Sequence, residues 1–380
     1  MTTAPELILH IGHFKTGTTA LQVFCASNAA QLARQGLRYA STHLRHAKHS
    51  PLAFALLQEA GATALMHGYD QPTPAAQMWA ALFDEVRDNG RTTLISTEEF
   101  ARLAMYPAAV DALRGIVATA PDIRFRVIAY LRPPQSHLRS WYNQLVKMGM
   151  LVGNFDTAVC AQMEAIHWDY ALALKPWIDI FGEDRIILRQ FDDQLRDGDA
   201  MFEDFLESLG FHLPMMARPP ERDPNPRLDD RALGLRRALS RAKVRPQVLQ
   251  QVMIRAAASL DAETQIAPGV EPHDFAGIRD TTRAAIHALC ALPHAALDPQ
   301  VLLDDLPVPM TPEAREMSEL VALLAGELAN LRATQRQTFV RLEALEKRFD
   351  AQPGRPSDPP AGGPAERPGA PPPKPADGAK

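Results

Sequence analysis

Residues Glu6 to Gln22 read ELILHIGHFKTGTTALQ, an apolar run read as a strand over 7–11 that passes into a Gly- and Thr-rich loop and then into a helical pattern. A strand with no polar alternation is the kind buried on both faces of a parallel sheet, and parallel strands need crossover connections, usually helices. This opening segment therefore predicts an α/β architecture. Its loop predicts an anion cradle. Gly12 and Gly17 stand five apart, with Thr18 and Thr19 following. That is the frame of a phosphate-binding loop, where backbone N–H groups and the positive end of the next helix face a phosphate. The lysine departs from the frame: it is Lys15, inside the loop, and Thr18 occupies the position of the lysine that reaches across a nucleoside triphosphate. The loop suits a 5′-phosphate better than a triphosphate.

Three more strands follow the same rule, over 91–96, 125–131 and 185–189. They alternate with helical stretches, including 18–35 and 201–209, the latter closing at Gly210. The pattern predicts a doubly wound parallel sheet with ligands at the C-terminal ends of its strands. Polar clusters stand at those ends: Thr97-Glu98-Glu99 after one strand and Arg132-Pro133-Pro134 after another. Further helices are expected over 231–243 and 246–260, and 261–310 shows no assignable pattern. Residues 306–312 read as a Pro-containing linker. A heptad seam runs over 313–350 through Met317, Val321, Leu324, Leu328 and Leu331, then Leu342, Leu345 and Phe349, with polar Gln335 and Thr338 between. Such a seam predicts a coiled coil and a homo-oligomer. The Pro/Ala/Gly-rich residues 351–380 read as a disordered tail.

Arg132 at a strand end, followed by prolines suited to a first helical turn, sets Ser136 and Ser140 one turn apart on one helical face. Arginine with a serine hydroxyl makes a phosphate clamp. Taken together, the KTGTT string after a buried strand and the Arg132 to Ser140 separation resemble the 5′-phosphosulfate and 3′-phosphate motifs of bacterial sulfotransferases that use 3′-phosphoadenosine-5′-phosphosulfate (PAPS). The stretch 169–211, with its FLESLG helix, is similar to the segment that completes the family's domain. Asp223-Pro224-Asn225-Pro226-Arg227-Leu228 stands where the family tends to carry Asn-x-Ser-Leu, with Arg227 in the serine position. The resemblance spans 6–240 within an expected domain over 1–305. It implies a three-layer parallel sheet of the P-loop nucleotide-kinase-like type.

The resemblance also implies PAPS as sulfuryl donor, with no metal. It assigns the donor site to Lys15, Thr16, Gly17, Thr18, Thr19, Arg132 and Ser140, with Lys15 as the cation at the departing phosphate. For the base that takes the acceptor's proton, Glu98 stands at the strand end where the family carries a histidine or a glutamate. A carboxylate there serves if desolvation raises its pKa toward neutrality. The rival is His49, or His46, in the basic stretch His43-Leu44-Arg45-His46-Ala47-Lys48-His49, which also suits an anionic acceptor. The implied acceptor is a hydroxyl on a carbohydrate or glycolipid. The alternatives are a nucleotide-dependent kinase and a catalytically inactive coiled-coil scaffold. A net charge of −5 gives no basic surface suited to nucleic acid. Three widely spaced cysteines, and the lack of a run long enough to span a membrane, predict a cytoplasmic protein.

Overall fold

The computed structural model describes residues 4–63, 65, 69, 73–148, 150, 152, 155–215, 217, 236–237, 240–241, 275–310, 335–338 and 341–342. The chain divides into two units, 1–329 and 330–380. The helices expected over 231–243 and 246–260 lie outside these residues but for two short pieces. So do the 223–228 element, nearly all of the 313–350 seam and the whole tail.

The strands are β1 (Glu6–His10), β2 (Leu37–Tyr39), β3 (Thr92–Ser96), β4 (Arg124–Leu131), β5 (Ile186–Gln190) and β6 (Ala295–Ala296). They form one six-stranded parallel sheet in the order β2-β3-β1-β4-β5-β6. All five residues of β1 are buried: Leu7, Ile8 and Leu9 as an unbroken apolar run requires, Glu6 in ion pairs with Arg124 and Arg126, and His10 in a hydrogen bond with Ser96 Oγ. Its alternate side chains serve two layers. Leu7 and Leu9 pack with Trp79, Phe83, Leu113 and Trp177, from α4 (Ala75–Asn89), α5 (Pro107–Ala118) and α8 (Tyr170–Phe181). Ile8 packs the other way, with Leu21 and Phe24 of α1 (Thr18–Ser27) and Phe202 and Phe205 of α9 (Ala200–Ser208). Helices on both faces of a parallel sheet make the three layers that the sequence predicts.

The helix expected over 18–35 is two. Asn28 leaves the helical region at φ −110° and ψ 15°, and its side-chain amide donates to Phe24 O at 2.8 Å. Asparagine here competes with the backbone for a helical carbonyl. A second helix, α2 (Ala29–Gln35), then leads into β2, which α3 (Ser50–Glu59) follows. Helices α6 (Pro134–Lys147) and α7 (Phe155–Ala161) lie between β4 and α8. The unassigned region contains a helix over Phe275–Cys290, strand β6 and a short helix over Pro299–Asp304. The described part of the expected linker is docked. Val308 exchanges two hydrogen bonds with the Gln135 side chain, at 3.0 and 3.1 Å, and Met310 N donates to Asp156 at 2.8 Å.

In this strand order the chain moves from β1 to β2 and β3 on one side, then crosses to β4 on the other. The ends of β3, β1 and β4 flank this reversal, where open α/β sheets place ligands.

Candidate functional site

The loop after β1 is built for close approach. Gly12 sits at φ 87°, and a Cβ there would lie 3.0 Å from both Cα and Cβ of Glu98. Only glycine supplies that backbone conformation and that clearance. The loop's first residues still pair with β4: Tyr130 N donates to Gly12 O at 2.9 Å, and His13 N to Tyr130 O at 3.2 Å. Thr16 Oγ1 then folds back onto His13 O at 2.5 Å. Lys15 has φ 62°, a left-handed backbone that costs a non-glycine residue roughly 1–2 kcal/mol. Its Nζ donates to Gln144 Oε1 at 3.2 Å. Gly17, at φ 75°, is the N-cap of α1, so Thr18 and Thr19 open the helix with N–H groups that have no intrahelical acceptor.

At the end of β3, Thr97 N donates to His10 O at 3.0 Å and Thr97 Oγ1 accepts from Glu99 N at 3.3 Å, capping the 3₁₀ helix Glu98–Met105. Glu98 is buried beside the loop. Its carboxylate accepts from Lys48 Nζ at 2.5 Å and from Gln22 Nε2, on α1, at 2.9 Å. Burial alone pushes this carboxyl up, but Lys48 and Gln22 outweigh it and hold Glu98 below the usual range. The desolvation-raised carboxyl expected on Glu98 belongs to its neighbour: burial, then the charge of Glu98, pushes Glu99 up to about 8. The reversal comes from Lys48, delivered by a tight turn in which His43, His46 and Ala47 all have positive φ and Arg45 bridges Lys48.

His49, the alternative base, is tied into the fold. Its Nε2 donates to Ala40 O at 3.0 Å, and its Nδ1 accepts from Ser96 N at 3.1 Å. Burial pushes it down to about 4. A neutral ring with both nitrogens engaged by backbone clamps the ends of β2 and β3 together and is not available to take an acceptor's proton in this arrangement. Lys48, from the same basic stretch, is the residue that reaches the site.

Past β4, Arg132 is buried and its carbonyl accepts from Tyr170 Oη at 2.8 Å. Pro134 opens α6 (Pro134–Lys147) as the sequence predicts. Ser140 is buried on this helix, one turn before the Gln144 that meets Lys15, so loop and α6 face each other across the β1/β4 reversal. The structure thus brings Lys15 through Thr19, Glu98, Arg132 and Ser140 to the same end of the sheet. Lys48 and Gln22 are functional-site neighbours that sequence reasoning left without a role. Both lie inside segments singled out for other residues, and nothing in their spacing couples them to Glu98.

A second group converges beneath the loop. His13, His137 on α6 and His167, in the 3₁₀ turn Ala165–His167, are all buried, and one ring nitrogen from each lies within 4.8 Å of the others. Burial holds all three imidazoles below their ordinary pKa, His13 at about 4, so they are neutral.

No family model matches the chain, and no curated protein matches it. Among solved structures, the chain has some likeness to a sulfotransferase from Alicyclobacillus acidocaldarius, at 17% identity and a TM-score of 0.37, over 67% of this chain and 94% of that one. A likeness of that degree carries neither family nor chemistry. Among the described residues, no helix is long and apolar enough to cross a membrane.

Proposed function

We propose that the protein is a sulfotransferase that moves a sulfuryl group from PAPS to a hydroxyl acceptor. The observation that carries this reading is the contact between anion cradle and carboxylate: the loop at Gly12 rests directly on the backbone of Glu98. A donor held by its 5′-phosphosulfate at residues 15–19 then has its reacting end within reach of a carboxylate that is ionised at neutral pH. Held below its usual range, Glu98 is a weak base and takes the hydroxyl proton late, as the acceptor oxygen bonds to sulfur and that proton becomes acidic. The bond to the bridging oxygen breaks with its electron pair going to the phosphate. Lys15 meets the charge that develops there. Lys48 and Gln22 orient the carboxylate, and Lys48 keeps it charged until the hydroxyl arrives.

Arg132 and Ser140 are proposed to hold the 3′-phosphate. The acceptor class, a carbohydrate or glycolipid hydroxyl, follows from the family resemblance. We extend the proposal to a homo-oligomer assembled through 313–350, checked by light scattering on the intact chain and on a version ending at residue 312. An unchanged oligomeric mass after truncation would remove that part. For the catalytic reading the test is calorimetry with adenosine 3′,5′-bisphosphate, followed by transfer of labelled sulfate from PAPS to extracted glycans and lipids. Binding with transfer supports it; no preference for the bisphosphate over adenosine 5′-phosphate would overturn it.

A further inference from the structure

We propose that His13, His137 and His167 form a binding site for a borderline transition-metal dication of the zinc and cobalt type, clamping the anion loop to α6 and to the turn at Ala165–His167. The site is separate from the sulfuryl-transfer reading, which needs no metal. Three observations carry it. First, one nitrogen of each ring lies within 4.8 Å of the other two, and His137 Nε2 stands 3.1 Å from His167 Nδ1. Two imidazoles on one tetrahedral ion, with bonds of about 2.0–2.1 Å, hold their nitrogens about 3.3 Å apart. The His137 and His167 pair, which shares a hydrogen bond here, is already at ligand spacing.

Second, His13 Nε2 donates to Ile166 O at 3.0 Å, which fixes its tautomer and leaves Nδ1 as the lone pair. A ligating histidine is commonly oriented by such a bond from its other nitrogen to a backbone carbonyl. Third, among the described residues His13 Nδ1, the nitrogen left with the lone pair, is buried with no hydrogen-bond partner. A buried nitrogen without a partner is costly, so this one calls for an occupant or a function.

The chemistry of the donor set selects the ion. Three neutral imidazoles suit zinc, cobalt, nickel or copper and offer nothing to magnesium or calcium. The rings are packed among Phe14, Trp141 and Tyr170. Because His13 is two residues from Lys15 and His137 three from Ser140, one ion would fix the spacing of the two anion-holding segments.

The test uses the full chain without an affinity tag, produced in cobalt-supplemented medium so that the buried site loads as the protein folds. Elemental analysis is expected to find about one cobalt per chain, with the intense visible bands of a tetrahedral ion. His167→Gln should lower retention against a chelator at least about 10-fold, whereas the double variant His43→Ala/His46→Ala should keep the ion. Wild type with under about a tenth of an ion per chain overturns the proposal, as does loss of the ion in the His43/His46 variant with retention in His167→Gln. If His167→Gln does not fold, X-ray absorption on wild type decides: a shell with three imidazole nitrogens supports the site, and an oxygen-dominated shell overturns it.

Discussion

The two flanks of the β1 loop handle buried polarity in opposite ways. On the β3 flank charge is kept and paired: Glu98 is ionised because Lys48 and Gln22 reach it. On the β4 flank charge is suppressed: His13, His137 and His167 are neutral because burial, reinforced by nearby cations at His137 and His167, penalises the imidazolium form. The lesson is that burial alone does not decide a group's ionisation. A neighbour that arrives with opposite charge and a hydrogen bond reverses the desolvation penalty, and a neighbour of like charge deepens it. Glu98 and Glu99 make the same contrast within two residues.

The largest effect that tests this contrast is at the junction. Lys15→Ala should lower sulfuryl transfer by about 10²–10³-fold with the melting temperature little changed, as when one preorganised charge-stabilising donor is lost. Near-normal turnover would place the working cation elsewhere. Next comes the paired flank. Lys48→Met strands the Glu98 charge and should destabilise the fold by about 2–3 kcal/mol, short of the roughly 3–5 for a fully buried pair because Lys48 is partly exposed. Glu98→Gln should cost less stability yet abolish transfer. A larger loss of stability in Glu98→Gln than in Lys48→Met, measured by urea unfolding, would mean the pair is not what holds this flank.

On the other flank, Arg132→Ala should weaken adenosine 3′,5′-bisphosphate by about 10- to 100-fold, the scale of a lost hydrogen bond to a charged group, and leave adenosine 5′-phosphate nearly unchanged. Equal weakening of both ligands by calorimetry would deny Arg132 the 3′-phosphate. The smallest effect is one of pH. Glu99 is pushed up from its ordinary 4.5 to about 8, so the unfolded chain releases this proton first. The stability tied to neutral Glu99 is complete below about 4.5 and is lost as pH rises toward 8. Glu98 runs the other way, its contribution being present above 4.5 and lost as pH falls. Glu99→Gln should therefore gain a few degrees in melting temperature relative to wild type as pH rises from 5 to 9. A gap that does not widen with pH would show that Glu99 ionises freely.

Legibility in the sequence followed the range of the interaction. The segments over 7–11, 91–96, 125–131 and 185–189 were readable as strands because buried parallel strands are continuously apolar, and they lie within a residue of β1, β3, β4 and β5. β2, three residues with an exposed Arg38, and β6, two residues long, are too short to carry a pattern. The break at Asn28 is a local hydrogen bond with only a single polar residue as its signal. Within the site, the loop and the α6 prolines were readable because their chemistry is contiguous. The Lys48 to Glu98 pair joins residues 50 apart, and the histidine cluster draws on positions 13, 137 and 167. No spacing encodes such meetings; only the strand order does. The direction of the Glu98 shift depended on one of them, which is why desolvation alone gave the opposite sign.

The contact at Gly12 also works as a ruler. Where the missing Cβ brings loop and Glu98 backbone together, main chain meets main chain, so the gap between cradle and carboxylate segment is fixed by covalent geometry and the register of β1 against β3. Side-chain rotamers adjust only what lies beyond that gauge. Substitutions that reshape an acceptor pocket in the surrounding loops can therefore accumulate without altering this setting. A methyl group at position 12 would reset it by pushing the two segments apart, at a point no acceptor needs to touch.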